Sequence, residues 1–386
     1  PTIKVTQGGD AMPRKVAIVG VAQTKHGVIS GSNVREMVYD VTQAVLENTG
    51  LRPPDIDTVV TSSSDYWQGI SCSNSFYFEA AASYLKDSSK AEEDSALGFI
   101  YAYMRVLSGH HDTALVVGVT KGSEIPSSLT LTNLYADPFF QRPVGLEDLS
   151  SSALQAKLYL ERYGVTEEQC AQVVVKNLGN ARLNPYAHRK QKLSVDDVMK
   201  SKAMASPIKE LDCAPASDGA CALILASEER ANKITDKPAW IKGVGWSSDE
   251  YYVGDRDLLD GSLERAARMA YRQAGITQPH REINVAEVCE PFSFQELLWC
   301  EHLGLFPPGG AGHAVERGVT ALGGKLPVNP SGGVLSTNPF VARGAIRIAE
   351  AALQVMGKAG KHQVDEANTA LAHSVHGLAG QLHSVV

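Results

Sequence analysis

A layered α/β fold built twice over is what this sequence predicts, and three observations predict it. Short apolar runs alternate with stretches of helical periodicity. A helix, a glycine and a strand over residues 95–119 recur, in order and in length, over residues 342–374. The chain of 386 residues, 44% hydrophobic and 20% charged, has the balance of a globular protein and the length for two core-forming units. Two such α/β units pack most easily as five layers, α-β-α-β-α, with a pair of central helices buried between two sheets.

The elements justify this reading in turn. Residues 1–13 are polar and read as a loose arm. Lys15–Thr24 is a short β-rich apolar run, a buried first strand with its exit loop. Val34–Thr49 has helical spacing and stops at Gly50, a C-cap signal. Ile56–Thr61 is a second strand with the polar tract Ser62-Ser63-Ser64-Asp65 behind it. A strongly apolar helix over Ser95–Ser108 ends at Gly109 and leads into strand Thr113–Val119. From Lys121 to about Pro207 the pattern changes to prolines, long polar loops and two amphipathic helices, Ser150–Tyr163 and Thr166–Leu183. A turn at Asp218-Gly219 then feeds an apolar strand to Leu225. The second run comprises strand Pro238–Val244, helix Ser262–Ala274, strand Val285–Val288, helix Phe294–Leu303, a glycine-rich loop, helix Ala342–Met356 and strand Thr369–Ser374. These changes divide the chain into an N-terminal half over 14–120, an inserted loop domain over 121–207, the remainder of the N-terminal half over 208–236, and a C-terminal half over 237–386.

Composition narrows the function classes. A net charge of −7 without a long Lys/Arg run argues against a nucleic-acid partner, although Arg182 and the run His188-Arg189-Lys190-Gln191-Lys192 could meet a phosphorylated ligand. No apolar run of 18 residues or more suggests a membrane span, and a soluble, cytoplasmic protein is the expectation. The six cysteines lack CxxC or His/Cys spacing, so they read as free thiols with no metal site. Cys72 reads as a structural thiol.

Candidate site residues gather on the glycine loop, Val328-Asn329-Pro330-Ser331-Gly332-Gly333-Val334-Leu335-Ser336-Thr337-Asn338-Pro339. Gly332 and Gly333 permit positive φ, and the polar Ser-Thr-Asn sits at the mouth of a long helix, where free N–H groups can orient a small molecule. Five motifs then occur in fixed order: strand Val16–Gly20, Ser217-Asp218-Gly219-Ala220-Cys221-Ala222, Glu287-Val288-Cys289-Glu290-Pro291-Phe292, Asn329-Pro330-Ser331-Gly332-Gly333, and His376-Gly377-Leu378-Ala379-Gly380. On these the chain resembles the thiolase superfamily over about 14–386, and within it the lipid-transfer-protein-type thiolases and aldolases. The resemblance implies a thiolase fold, coenzyme A as substrate with no tightly bound cofactor, a homodimeric core, and a small zinc-ribbon/OB-fold partner subunit that helps to bind acyl-CoA. The sheet edges are expected to be apolar, in keeping with a dimer.

Departures from the family pattern shape the mechanism. Such enzymes carry a nucleophilic cysteine at the start of the buried central helix, where the helix dipole favours the thiolate. Here counting back from Gly109 places Glu92 at that position, give or take two residues, with Asp94 and Ser95 as further replacements for the nucleophile. No cysteine lies between 72 and 170, so no acyl-cysteine is expected there. The family's second cysteine aligns with His376, which can move the same proton. Gly-His-Pro becomes Thr337-Asn338-Pro339, so Asn338 can hold an oxyanion but not act as a base. The Asn-Glu or His-Asp pair becomes Cys289-Glu290. Tyr251, Phe340, Gly332, Gly333 and Gly377 are the candidate substrate contacts, Phe340 standing where an aldolase would place a phenol.

The resemblance implies chemistry between Cα and Cβ of a CoA thioester. Thiolytic, retro-Claisen cleavage of a 3-oxoacyl-CoA without an acyl-cysteine is ranked first, because Phe340 lacks a phenol. Retro-aldol cleavage of a 3-hydroxyacyl-CoA with a steroid or aromatic side chain comes second. A non-catalytic acyl-CoA-binding scaffold comes third.

Overall fold

The computed structural model describes residues 14–29 and 31–386; the arm expected over 1–13 lies outside the described residues. The first sheet is built from β1 (Val16–Gln23), β2 (Thr58–Ser63), β3 (Asp87–Glu92), β4 (Thr113–Lys121), β5 (Asp218–Ser227) and β6 (Ala239–Trp240), in the spatial order β3-β2-β4-β5-β1-β6. Strands β3, β2 and β4 run parallel, and β5 runs antiparallel to both β4 and β1. The second sheet has β7 (Gly245–Ser248), β8 (Val285–Glu287), β9 (Ala370–His376) and β10 (Leu382–Val385), in the order β8-β9-β10-β7. Strands β4 and β5 are buried along their whole length, which suits covered faces on both sides of a sheet.

Five layers follow from where the helices lie. Helix α1 (Val34–Thr49) covers β1, β4 and β5 from outside. Its start is fixed by Asn33 and Glu36 in a reciprocal capping box, and its end, as the C-cap signal predicts, by Gly50 in the left-handed region. Between the sheets lie α2 (Ser95–Leu107) and α7 (Arg343–Met356). Helix α2 packs on β2 and β4, while α7 touches α2, β8 and β9 on one side and β1 and β5 on the other. On the far face, α5 (Ser262–Ala274) covers β7 and β10, and α6 (Ser293–His302) packs on α5. The thiolase-type five-layer arrangement is therefore present.

Close approach at the centre depends on two glycines. A Cβ at Gly118 of β4 would lie 2.8 Å from Ser95 Cβ and 3.2 Å from Ala342 Cα, and one at Gly344 would lie 2.8 Å from the Ala96 backbone nitrogen. The middle layer also buries charge. Arg347 of α7 is paired with Glu287 of β8 beside the Ser331 hydroxyl, and Glu350 meets His362 at 2.9 Å and Gln23 at 2.9 Å.

The segment between β4 and β5 carries α3 (Asp148–Tyr163) and α4 (Glu167–Ala181). Its apolar residues, among them Tyr159, Val174 and Leu178, share one hydrophobic cluster with Leu297, Trp299 and Val334 of the C-terminal half. The excursion thus completes the core it reaches.

Three expectations change. Strand β3, Asp-Ser-Ser-Lys-Ala-Glu, has no apolar pattern, and no strand is expected there; it forms because β2 offers it a parallel ladder from Thr58 to Ser63. This edge is polar and half-exposed, not apolar. The expected strand Pro238–Val244 shrinks to β6, and β7 and β10 are strands that the periodicity did not reveal. Among the described residues no helix is long and apolar enough to cross a membrane.

Candidate active site

Strand β3 ends at Glu92 and α2 begins at Ser95, so Glu93 and Asp94 make the junction. Asp94 is the N-cap, its carboxylate accepting from the Ala96 N–H at 2.9 Å as a capping Asp should. The residue before it turns through φ +63°, a left-handed conformation that costs a non-glycine residue about 1 kcal/mol or more. That turn aims the Glu93 carboxylate at His376, the last residue of β9, with Oε2 2.6 Å from Nε2. Ser64 donates to the other oxygen at 3.0 Å. Burial raises the Glu93 carboxyl, but the bonds from His376, Ser64 and Tyr135 outweigh it and hold it below its ordinary range. It is a carboxylate at neutral pH. A carboxylate on Nε2 fixes the ring's orientation and places its proton there, leaving Nδ1 as the nitrogen able to exchange a proton.

Aromatic rings wall this pair. Tyr135 stands edge-on to His376 with centroids 5.5 Å apart, and Phe340 does so at 5.8 Å. Trp67 stacks on Phe340 at 4.1 Å and donates its indole N–H to the Tyr135 oxygen at 2.7 Å. Burial and the neighbouring Glu93 push the Tyr135 phenol well above its ordinary value, so it stays protonated. Arg343, at the start of α7, lies over the Phe340 ring at 4.4 Å and donates to the Val375 carbonyl at 2.7 Å. Its Nη1 is buried without a partner. Asp148, the first residue of α3, is pushed up to about 6 by burial, against the pull of Arg343.

A second buried cluster sits under the glycine loop. Glu290 accepts from Asn177 Nδ2 at 2.9 Å and from the Leu335 N–H at 3.2 Å, while its Oε2 is buried with no partner. Asn177 and Asn329 both donate to Glu296, which lies 2.9 Å from Lys176 Nζ. Burial, and then Glu296, push the Glu290 carboxyl up to about 8. Gly333, at φ +64°, must be glycine, because a Cβ there would collide with Glu290 Oε1. Gly332, at φ +104°, passes against Ala181 of α4. The loop is therefore a lid on Glu290. Among the described residues no hydrogen bond joins Glu290 to His376, Asn338 or Cys289.

The other sequence-derived candidates divide. Asn338 is anchored through its backbone to Ser217, donating at 3.1 Å and accepting at 3.2 Å, and its Oδ1 is buried without a partner. Cys289 is buried, and burial pushes its thiol up to about 11 despite Arg343; it is a thiol, a weak donor. Gly377, at φ +76°, turns the chain after His376 and packs on Gln381. Glu92 is not the residue at the pair: as the last residue of β3 it meets Lys90 and the Asp65 N–H, and only the left-handed turn at Glu93 swings the next carboxylate toward His376. Asp94 is occupied by Ala96, Ser374 and Ser384, and the Ser95 hydroxyl accepts from the Ala345 N–H at 2.8 Å. Asp94 thus ties α2 to the second sheet, and Ser95 ties α2 to α7. Tyr251 is 47% exposed, with its ring on Tyr252, so the phenol beside His376 is that of Tyr135 instead. Cys72, read as a structural thiol, is exposed.

Tyr135, Trp67 and Arg343 are the residues that sequence reasoning passed over, while Glu93 lay inside the two-residue margin around Glu92 without being singled out. For Glu93 a signal existed: Asp94 is a good N-cap before an apolar helix, and the residue before a cap is where a sharp turn falls.

The relatives of this chain bear on its family. A family profile described as "Thiolase C-terminal domain-like" matches residues 245–386. An acetyl-CoA acetyltransferase of Methanothermobacter thermautotrophicus is 33% identical over 382 residues, spanning 95% of this chain and 97% of that protein. This chain belongs to the thiolase superfamily. Sterol carrier protein 2 of Bos taurus is 36% identical over 235 residues, 58% of this thiolase-superfamily chain and 42% of its own length. The solved "Ltp2-ChsH2(DUF35) aldolase" superposes with a TM-score of 0.83 at 24% identity, covering 96% of this chain and 97% of that one, a likeness of fold. Glu93 stands at the junction between β3 and the central helix α2.

Proposed function

We propose that this chain cleaves, or in reverse forms, the Cα–Cβ bond of a CoA thioester without an acyl-enzyme, as a retro-aldolase acting on a 3-hydroxyacyl-CoA. The observation that carries the reading is the Glu93–His376 pair at that junction. A carboxylate there is a poor nucleophile, and one spent on orienting an imidazole makes that imidazole a general base.

The steps balance with one acid–base group. His376 Nδ1 takes the proton of the 3-hydroxyl, and Glu93 compensates the imidazolium charge. The C–O bond becomes a carbonyl as the Cα–Cβ bond breaks, its electron pair passing into a thioester enolate. The Asn338 carboxamide and the unpartnered Arg343 Nη1 are the donors suited to the enolate oxygen. The proton then returns from His376 to Cα, giving a shortened CoA thioester and an aldehyde or ketone. Tyr135 supplies the phenol whose expected absence at Phe340 argued against this route.

Thiolytic cleavage is the second reading, favoured by the acetyltransferase name of the full-length relative. Without a thiol to hold the acyl group it requires a 3-oxoacyl-CoA and free CoA to be bound at once, whereas the aldol route needs one CoA molecule. Incubating the protein with 3-hydroxyacyl-CoAs and no free CoA separates them. A carbonyl product formed there supports the retro-aldolase; product formed only from a 3-oxoacyl-CoA plus CoA rejects it. The aldolase of like fold is a complex with a DUF35 component, and an accompanying small subunit together with a homodimeric core is part of this proposal.

A further inference from the structure

A cleft of about 450 Å³ lies away from the site just described, at the exit of β1, between the turn that follows α4 and the segment that follows α7. No acidic side chain lines it. Four cations do: Arg182, Lys190, Lys358 and Lys361. Each is exposed, and none has an ion-pair partner among the described residues. In a chain of net charge −7 such a gathering is unusual, because like charges repel and acidic neighbours are plentiful. The carboxylate beneath, Glu350, is fully buried and already bonded to His362, Gln23 and Asn184. It is not presented to the cleft.

The remaining walls have a different chemistry. Leu183 and Leu353 offer apolar surface, and Tyr186 a half-buried ring. Lys190 is steered by its Nζ donating to the Pro185 carbonyl at 3.1 Å, and burial together with nearby Lys25 pulls its ammonium below the ordinary range, as for a cation lacking its counter-ion. A ring of cations over an apolar and aromatic wall, in a volume typical of small-molecule pockets, fits a ligand with phosphates at one end and a flat base at the other.

We propose that this cleft is a binding site for a phosphorylated nucleotide-type ligand, with Arg182, Lys190, Lys358 and Lys361 holding the phosphates and Tyr186 the base. It shares no lining residue with Glu93, His376, Tyr135 or Phe340, so it stands whether or not the proposed reaction does. The nucleotide is either free or the bisphosphorylated adenosine end of a CoA thioester; the chemistry recognised is the same.

Titration calorimetry with adenosine 3′,5′-bisphosphate at 50 and 300 mM salt tests it, on the whole chain and on R182Q and K358Q/K361Q variants. These side chains are exposed, so the fold should persist, which circular dichroism checks. Saturable binding that weakens with salt, and by about tenfold for each cation removed, is the expected result. A K157Q control, on an exposed face of α3, should bind as the parent does. No saturable binding, or equal binding by the variants, overturns the proposal. Adding an acyl-CoA then names the source: competition assigns the cleft to the CoA nucleotide, and simultaneous binding assigns it to a free one.

Discussion

At the scale of single residues, the pairing of Glu93 with His376 makes the sharpest demand. Replacing His376 by alanine should lower kcat for C–C cleavage by about 10²–10⁴-fold. E93Q should lower it less, because the amide still holds the ring but carries no charge to balance the imidazolium. Thermal melts beside steady-state rates check both, and E93Q acting at the parental rate would remove Glu93 from the mechanism. Glu290 makes a demand on stability. Its carboxyl is raised to about 8 from an ordinary 4.5, so between those pH values the folded chain holds a proton that the unfolded chain releases. Stability contributed in this way is complete below about 4.5 and lost as pH rises through 8. E290Q, whose oxygen can keep the Asn177 and Leu335 bonds, should gain on the parent across that window by at least about 1 kcal/mol. Melting temperatures of the two proteins from pH 5 to 8.5 read the difference, and a constant gap would mean that Glu290 does not titrate there.

Elements were unequally legible. Helix α1 could be read with its C-cap because Gly50 acts locally, and the structure adds the capping box of Asn33 and Glu36. The buried strands showed themselves by apolar runs, and the glycine loop by residues that only positive φ explains. Strand β3 could not be read, since its ladder rather than its side chains makes it a strand. Glu93 lay within two residues of the position read from the sequence, but its role could not be read, because it depends on a backbone turn and on meeting β9 from the opposite end of the chain. Tyr135 arrives from the long segment between β4 and α3, whose path no local rule sets. At this scale the central crossing is the weak point. G344A forces a Cβ against Ala96 and the Ser374 hydroxyl, and should cost about 1–3 kcal/mol with a loss of activity, since Arg343 and Ser95 move with it. Chemical denaturation and the cleavage assay measure the two effects, and an unchanged midpoint would show that the layer can open without strain.

Across the whole molecule, the two halves are not separate bodies. Helix α7 packs on strands of the first sheet as well as its own, Ser374 and Ser384 bond to Asp94, and the apolar cluster that α5 and α6 share with the second sheet is completed by α3 and α4. Residues 14–236 and 237–386, expressed apart, should each expose an apolar helix face and be insoluble. Co-expression should return a soluble pair. Solubility of the 237–386 fragment alone would show that the C-terminal half closes its own core.

A carboxylate at the junction before α2 also fixes the kinetic character of the proposed reaction. A thiol there would hold half of the substrate between two events, and the enzyme would remember its first partner while awaiting the second. With Glu93 nothing is stored. Turnover begins and ends with free ligands, labelled CoA should not exchange into substrate in the absence of a complete reaction, and iodoacetamide, which poisons thiol enzymes, should find the exposed Cys72 first and leave the rate alone.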